Sequence, residues 1–244
     1  MLADLHIPLW AGFVFLVVVC YFVGAIPFSL IVGKLIYHKD LRTMGSGNLG
    51  TTNALRCFGP VAGALVLILD GLKGAAAVYL ARWLFPQMAT PAFFESLSKL
   101  IRLAYSTQGY PRLTAHWALV TASVATIVGH AFSPYIKFKG GKAMAATGGI
   151  VIAMFPKLLP ILVPVFLILV FVTHYVSVAS LTIAVLLPLT MWLFYPSLPF
   201  IIFSVAASLF VIWLHRSNIA RLRAGTENKL EFGRNKAPVD ENGD

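Results

Sequence analysis

From Leu158 to His215 the chain runs for 58 residues without an Asp, Glu, Lys or Arg. A soluble domain, in which about a quarter of the residues are charged, does not leave such a gap. Ile7 to Gly33 forms a second uncharged run of 27 residues, against the roughly 20 a helix needs to cross the hydrocarbon core. With 59% of its residues apolar and 11% charged, the chain reads as an all-α polytopic membrane protein. A soluble enzyme, a disulfide scaffold and a nucleic-acid-binding module are excluded.

The first apolar stretch exceeds the ~7 to 15 residue core of a secretory signal and has no basic segment before it, so it is retained as a span. Apolar windows fall at about 8–33, 58–81 and 114–134, followed by a long tract from 148 to 214. Breaks at Pro156 to Pro164, Thr173 to Ser177 and Tyr195 to Pro199 divide that tract into segments near 148–155, 160–173, 177–194 and 199–214, the first two shorter than a full crossing. Thirteen of the 19 basic residues lie in three connecting stretches: Lys34 to Arg56, Lys137 to Lys142 and Arg216 to Lys236. Positive loops stay in the cytoplasm. If all three are cytoplasmic, the 148–214 tract crosses an even number of times. Four crossings give about seven transmembrane helices with the N-terminus outside; two crossings give the alternative of five. The formal charge of +10 then reports cytoplasmic loops and anionic partners.

Residues 84–114 fall on the outer side, where Phe93, Phe94, Leu97, Leu100, Ile101 and Tyr105 recur at helical spacing and predict a short amphipathic interfacial helix. Residues 231–244 read as a loose polar cytoplasmic tail after a single transmembrane domain, 1–230. Cys20 and Cys57 have neither metal-ligand spacing nor a pairing role. No clustered carboxylates, cysteines or histidines mark a metal site, and no cofactor is implied.

Three motifs carry the chemistry. Gly45-Ser46-Gly47-Asn48-Leu49-Gly50-Thr51-Thr52-Asn53-Ala54-Leu55-Arg56 is dense in glycine, hydroxyls and amides and ends in arginine. Glycines allow backbone N–H groups to converge on an anion, and the guanidinium fork matches phosphate oxygens. It is not the G-x-x-x-x-G-K-[ST] nucleotide loop. The second motif, Lys137 to Thr147, contains Gly140-Gly141-Lys142 and follows Gly129-His130; a lysine beside glycines at a helix start can grip phosphate. The third runs from His215 to Glu227, with His215, Asn218 and Arg221 at three-residue spacing on one helix face. Within the second span Asp70 and Lys73, also three apart, are expected to pair and brace the site. Pro27 should bend the first span and free a carbonyl.

In this order, the Gly-Ala-Ile-Pro-Phe of the first span, GSGNLGTTNALR, Asp70 to Gly74, Gly129-His130 to Gly141-Lys142, and His215 to Glu227 resemble the bacterial membrane acyl-phosphate:glycerol-3-phosphate acyltransferase family (PlsY) over nearly the whole chain. Ala143 and Met144 depart from the Gly and Val usual there, and the 84–114 stretch is longer than typical. The resemblance implies acyl transfer from acyl phosphate to the 1-hydroxyl of glycerol 3-phosphate, giving lysophosphatidic acid and phosphate in the bacterial inner membrane, with the site on the cytoplasmic side. It assigns Ser46, Arg56, Lys142, His215 and Asn218 as catalytic, holding glycerol 3-phosphate. Gly45, Gly47, Asn48, Gly50, Thr52, Asn53, Gly140, Gly141 and Arg221 would bind substrate phosphate, with Asp70, Lys73, Gly129, His130 and Glu227 in support. Acyltransferases that use thioesters need a histidine five positions before an aspartate; after His38, His130 and His215 stand Thr43, Tyr135 and Ala220. Substrate-assisted attack is therefore expected, with His215 as general base the rival. A transporter or channel for a phosphorylated solute is the alternative function, and oligomeric state is open.

Overall fold

A computed structural model describes residues 9–88 and 110–230, which are helical with no strand. The amphipathic helix expected around residues 93–105 and the 231–244 tail lie outside the described residues. The first span is broken: α1 (Leu9–Ala25) ends just before Pro27, and α2 (Phe28–Ile36) resumes after it. Proline has no N–H to continue the ladder. Then come α3 (Thr51–Phe58), α4 (Pro60–Met88) and α5 (Tyr110–Ala131). The long tract becomes α6 (Met144–Met154), α7 (Leu159–Thr173), α8 (Val176–Phe194) and α9 (Leu198–Leu214), which bends by 55° into α10 (Arg216–Arg223).

Five described helical stretches are long and apolar enough to cross a membrane, or six if the bent α9–α10 pair is one span. The remaining apolar segment, α6, has 11 residues and is therefore about 16 Å long, roughly half the hydrocarbon thickness. It begins four residues before the expected 148, directly after the second motif. Trp10, Leu35, Trp83, Ile168, Val172 and Leu209 stand exposed on the outer surface, as suits a lipid-facing belt. The molecule is a multi-pass membrane protein.

Two groups of helices make the bundle. In the first, α1 packs on α5 and α4 on both α5 and α6; in the second, α8 lies between α7 and α9, and α9 leans on α5. Apolar side chains gain little from one another in lipid, so close backbone approach and buried polar contacts hold such helices together. A Cβ at Gly149 of α6 would overlap the carbonyl of Gly71 on α4, and one at Gly129 of α5 would overlap that of Tyr21 on α1. Between α1 and α5, the Tyr21 hydroxyl donates to the Phe132 carbonyl at 2.7 Å and the Ser133 hydroxyl to the Ala25 carbonyl at 2.6 Å.

The break at Pro27 is held from α4. Lys73 Nζ donates to the Ile26 carbonyl at 3.0 Å and sits 2.8 Å from Asp70 Oδ1, with both side chains almost fully buried. His130 Nδ1 lies 3.8 Å from the same carboxylate oxygen. Asp70→Asn or Lys73→Met alone leaves one buried charge without its partner and should cost about 3–5 kcal/mol. The double variant should lose less than the sum of the two, measured by thermal unfolding in detergent micelles; additive losses would show that the pair is not coupled.

Candidate active site

The three motifs meet at one end of the bundle, around a cavity of about 760 Å³. Ser46, Asn48, Thr52 and Arg56 reach it from the first motif, Lys142 from the second, and His215, Asn218, Arg221 and Glu227 from the third. Side-chain bonds tie the motifs together across long stretches of chain. Arg56 Nη2 donates to the Asn228 carbonyl at 2.8 Å, and Lys142 Nζ donates to Asn218 Oδ1. Asn218 Nδ2 in turn donates to Glu227 Oε1 at 2.6 Å, while Arg221 Nε donates to Glu227 Oε2 at 2.7 Å.

Local sequence explains how each piece is presented. Gly45 and Gly47 have φ of +56° and +67°, the left-handed region glycine enters without strain, so the first motif doubles back before α3 starts. Asn53 clamps that turn: its Oδ1 accepts from the Ser46 N–H at 2.9 Å and its Nδ2 donates to the Met44 carbonyl at 3.1 Å. Arg56, one turn further along α3, faces the cavity, and its buried Nε has no hydrogen-bond partner. On α10 the three-residue spacing brings Asn218 and Arg221 to the same carboxylate. His215 sits at the bend, where its Nδ1 lies 2.8 Å from the Val211 carbonyl; as the donor there, it leaves Nε2 as the acceptor nitrogen.

The glycine backbone is used differently from the expected phosphate cradle. Gly140 and Gly141 donate their N–H groups to the Ala131 and His130 carbonyls, at 3.0 and 3.2 Å. They satisfy the end of α5, whose last carbonyls need partners. Gly47 donates to Met44 and Gly50 to Asn48, so these N–H groups close turns within the first motif. Asn53 likewise spends its amide on its own loop, and Gly129 is a packing contact against α1. The first turn of α3, which has no side-chain cap, is the stretch of the motif whose N–H groups lie at a helix start beside Thr51 and Thr52, both at the cavity. Asp70 and His130 border the cavity from below, next to a small void that also touches Lys73 and Gly141.

Three further hydroxyls line the same space, Thr147 closing the second motif and Ser177 and Ser208 outside the motifs. Thr147, Ser177 and Ser208 are each more than nine-tenths buried. Ser177 lies beside the Glu227 carboxylate, yet its hydroxyl, like those of Thr147 and Ser208, has no hydrogen-bond partner. A lone hydroxyl in an apolar run gives no periodic signal, so Ser208 went unmarked, whereas Thr147 closed the second motif and Ser177 lay in the polar dip at Thr173 to Ser177.

The charge balance is positive. Lys142, Arg56 and Arg221 face Glu227, because the other acid lining the cavity, Asp70, is paired with Lys73 at 2.8 Å, and Asp40 is held by Arg42 at 2.5 Å outside it. Burial, with the charges of Arg221 and Arg56 adding to it and Glu227 opposing, pulls Lys142 down to about 8. Burial would raise the Glu227 carboxyl, but hydrogen bonds from Asn218 and Arg221, with the Ser177 hydroxyl close by and the charge of Arg221, outweigh it and hold Glu227 below its ordinary value. A dianion entering here meets an excess of two positive charges with donors already oriented. Among the described residues no cluster of three or more His, Cys, Asp or Glu could hold a metal ion.

Away from this polar end the cavity is apolar, running between Ile68, Leu72 and Ala75 of α4, Ile152 of α6, and Val163 and Phe166 of α7. α4 and α7 do not pack extensively on one another, and Leu72, Ile152 and Val163 are about half exposed. The slot therefore opens sideways, toward lipid.

Residues 14–225 match the family model described as glycerol-3-phosphate acyltransferase. The glycerol-3-phosphate acyltransferase of Lacticaseibacillus casei is 40% identical over 219 residues, covering 88% of this chain and 91% of that protein. Its counterpart from Lactiplantibacillus plantarum is 36% identical, covering 90% and 93%. The crystal structure of PlsY (YgiH), an integral membrane glycerol 3-phosphate acyltransferase in its glycerol 3-phosphate form, superposes with a TM-score of 0.73 at 28% identity, covering 90% of this chain and 96% of that one. A lysophosphatidic acid form of the same protein gives 0.71 at 27% identity. A family model matched over most of the chain, relatives alike along nearly their whole length and a shared fold agree: this chain belongs to the glycerol-3-phosphate acyltransferase family.

Proposed function

We propose that the protein transfers a fatty acyl group from acyl phosphate to the 1-hydroxyl of glycerol 3-phosphate, at the cytoplasmic face of the bacterial inner membrane, releasing lysophosphatidic acid and inorganic phosphate. The observation that carries this reading is a cavity with two chemical ends: a cationic, donor-rich end built from three motifs and an apolar slot open to the bilayer. Glycerol 3-phosphate suits the first, and an acyl chain suits the second. The related PlsY has forms with glycerol 3-phosphate and with lysophosphatidic acid, a substrate and a product of this reaction.

In the proposed reaction the glycerol hydroxyl adds to the acyl carbonyl, the bond from that carbon to the phosphate oxygen breaks, and inorganic phosphate leaves. The proton of the attacking hydroxyl goes to a phosphate oxygen of the donor. Lys142, Arg56 and Arg221 bind the phosphates and stabilise the charge that moves onto the leaving group, an electrostatic role set up before the substrates arrive. Asn218 holds the Lys142 ammonium in place and passes its other bond to Glu227. His215 contacts a neutral backbone carbonyl, with no carboxylate behind the ring such as orients the imidazole of a hydrolase triad; this supports a positioning role.

Purified protein given glycerol 3-phosphate should form lysolipid with an acyl phosphate and not with acyl-CoA or acyl carrier protein thioesters. Equal use of a thioester would overturn the donor assignment. His215→Gln should reduce turnover by less than the roughly 10²-fold to 10⁴-fold typical of losing an acid-base group; a larger loss at unchanged glycerol 3-phosphate affinity would make His215 the base. Lys142 is protonated below about 8 and neutral above it, so kcat/KM for glycerol 3-phosphate should fall as pH rises through that value. Lys142→Arg should move the fall upward, and a pH profile unchanged by that substitution would remove Lys142 from the assignment.

A further inference from the structure

Resting on the acyl-phosphate reading above, we propose that Gly148 sets the acyl-chain specificity of this enzyme by leaving open the passage from the phosphate end of the cavity to its apolar slot. A glycine inside a helix is less favourable than alanine and calls for a local reason. Its neighbour has one, since a side chain at Gly149 would strike the Gly71 carbonyl. Gly148 does not: an added Cβ there would meet no atom within 4 Å, and its backbone is ordinary helix. The space belongs to the cavity, which Gly148 lines.

Its position gives that space a meaning. α6 starts at Met144, two residues after Lys142, so Gly148 lies about 6 Å along the helix from its first residue. It is one turn beyond the start of α6 and six residues after the phosphate-binding lysine. Ala145, Gly148 and Ile152 follow one another along the cavity side of α6 with helical spacing. Beyond them the cavity continues to Leu159 at the start of α7. α6 leaves the site end and stops at Met154, and α7 returns toward the site from Leu159, so Leu159 marks the far end. An acyl chain whose carbonyl sits near Lys142 must pass Gly148 to reach it. The buried, unpartnered hydroxyl of Thr147, next to Gly148, lines the polar side of the passage, where the carbonyl and phosphate of the donor would lie.

The test is a comparison of hexadecanoyl phosphate with butanoyl phosphate as donors, in wild type, Gly148→Leu and Gly148→Ala. Gly148→Leu should lower the kcat/KM ratio of long to short donor by roughly 100-fold, as burial of several methylenes is lost, with the KM for glycerol 3-phosphate unchanged. Gly148→Ala should fold at least as stably as wild type and shift the ratio in the same direction by roughly threefold to tenfold. An unchanged ratio in either folded variant, or equal loss of both donors, overturns the proposal. If Gly148→Leu does not fold, Gly148→Ala decides alone. A wild-type protein that acylates glycerol 3-phosphate from neither donor would instead sink the reading on which this one rests.

Discussion

The chain from Lys142 through Asn218 and Glu227 to Arg221 is the interaction on which the site depends. Three cations at the edge of a bilayer repel one another and lose hydration, and without an anion they would be driven apart or neutralised. Glu227 is that anion. It sits at the end of α10, held by its own hydrogen bonds, and its position requires the turn after Arg223 to fold back. Asn218 matters because an amide presents an acceptor to the ammonium and a donor to the carboxylate at once. A hydroxyl or a second acid in its place could not bridge two groups of opposite charge with the same geometry.

Helices that stop short deliver these groups. α1 stops at Pro27, α6 spans about half the hydrocarbon, and α9 turns by 55° at His215. Irregular backbone at such points is tolerated where it lines a cavity or finds a buried partner. Lys73 supplies the partner for Ile26, the α5 end carbonyls receive Gly140 and Gly141, and His215 returns a bond to Val211. Each repair uses polar groups that read as functional from sequence alone. That overlap explains why glycines in the motifs suggested a phosphate cradle when several of them serve to end a helix.

The helical segments were legible because hydropathy in lipid is a one-dimensional property: charge-free windows and proline breaks mark spans within a few residues. The three polar motifs were legible because donor-rich runs are rare in such a chain, and the structure brings Ser46, Arg56, Lys142, His215 and Asn218 to one cavity. Which atoms of a motif face the ligand was not legible. Asn53 and Asn218 are both buried amides in motifs, yet one locks a loop and the other carries a charge relay between loops. Only their partners, 7 to 12 residues away for Asn53 and 76 for Lys142 with Asn218, distinguish them. Ser208 was invisible for a related reason: a single hydroxyl does not change the apolar period of a helix.

The second motif also bears a conformational cost that its sequence hides. Ala143, between Lys142 and the start of α6, has φ of +57° and is buried; a residue with a side chain loses about 1–2 kcal/mol in that region. The family resemblance read from the sequence implies glycine here, and glycine enters the region freely. The departure therefore adds strain next to the lysine without moving it, provided the flanking contacts are stronger than the strain. They are well placed to be: Gly140 and Gly141 are fixed to α5 on one side, and α6 is locked against α4 through Gly149 on the other. The lysine is held between two rigid packing contacts, and the backbone between them takes whatever conformation connects them.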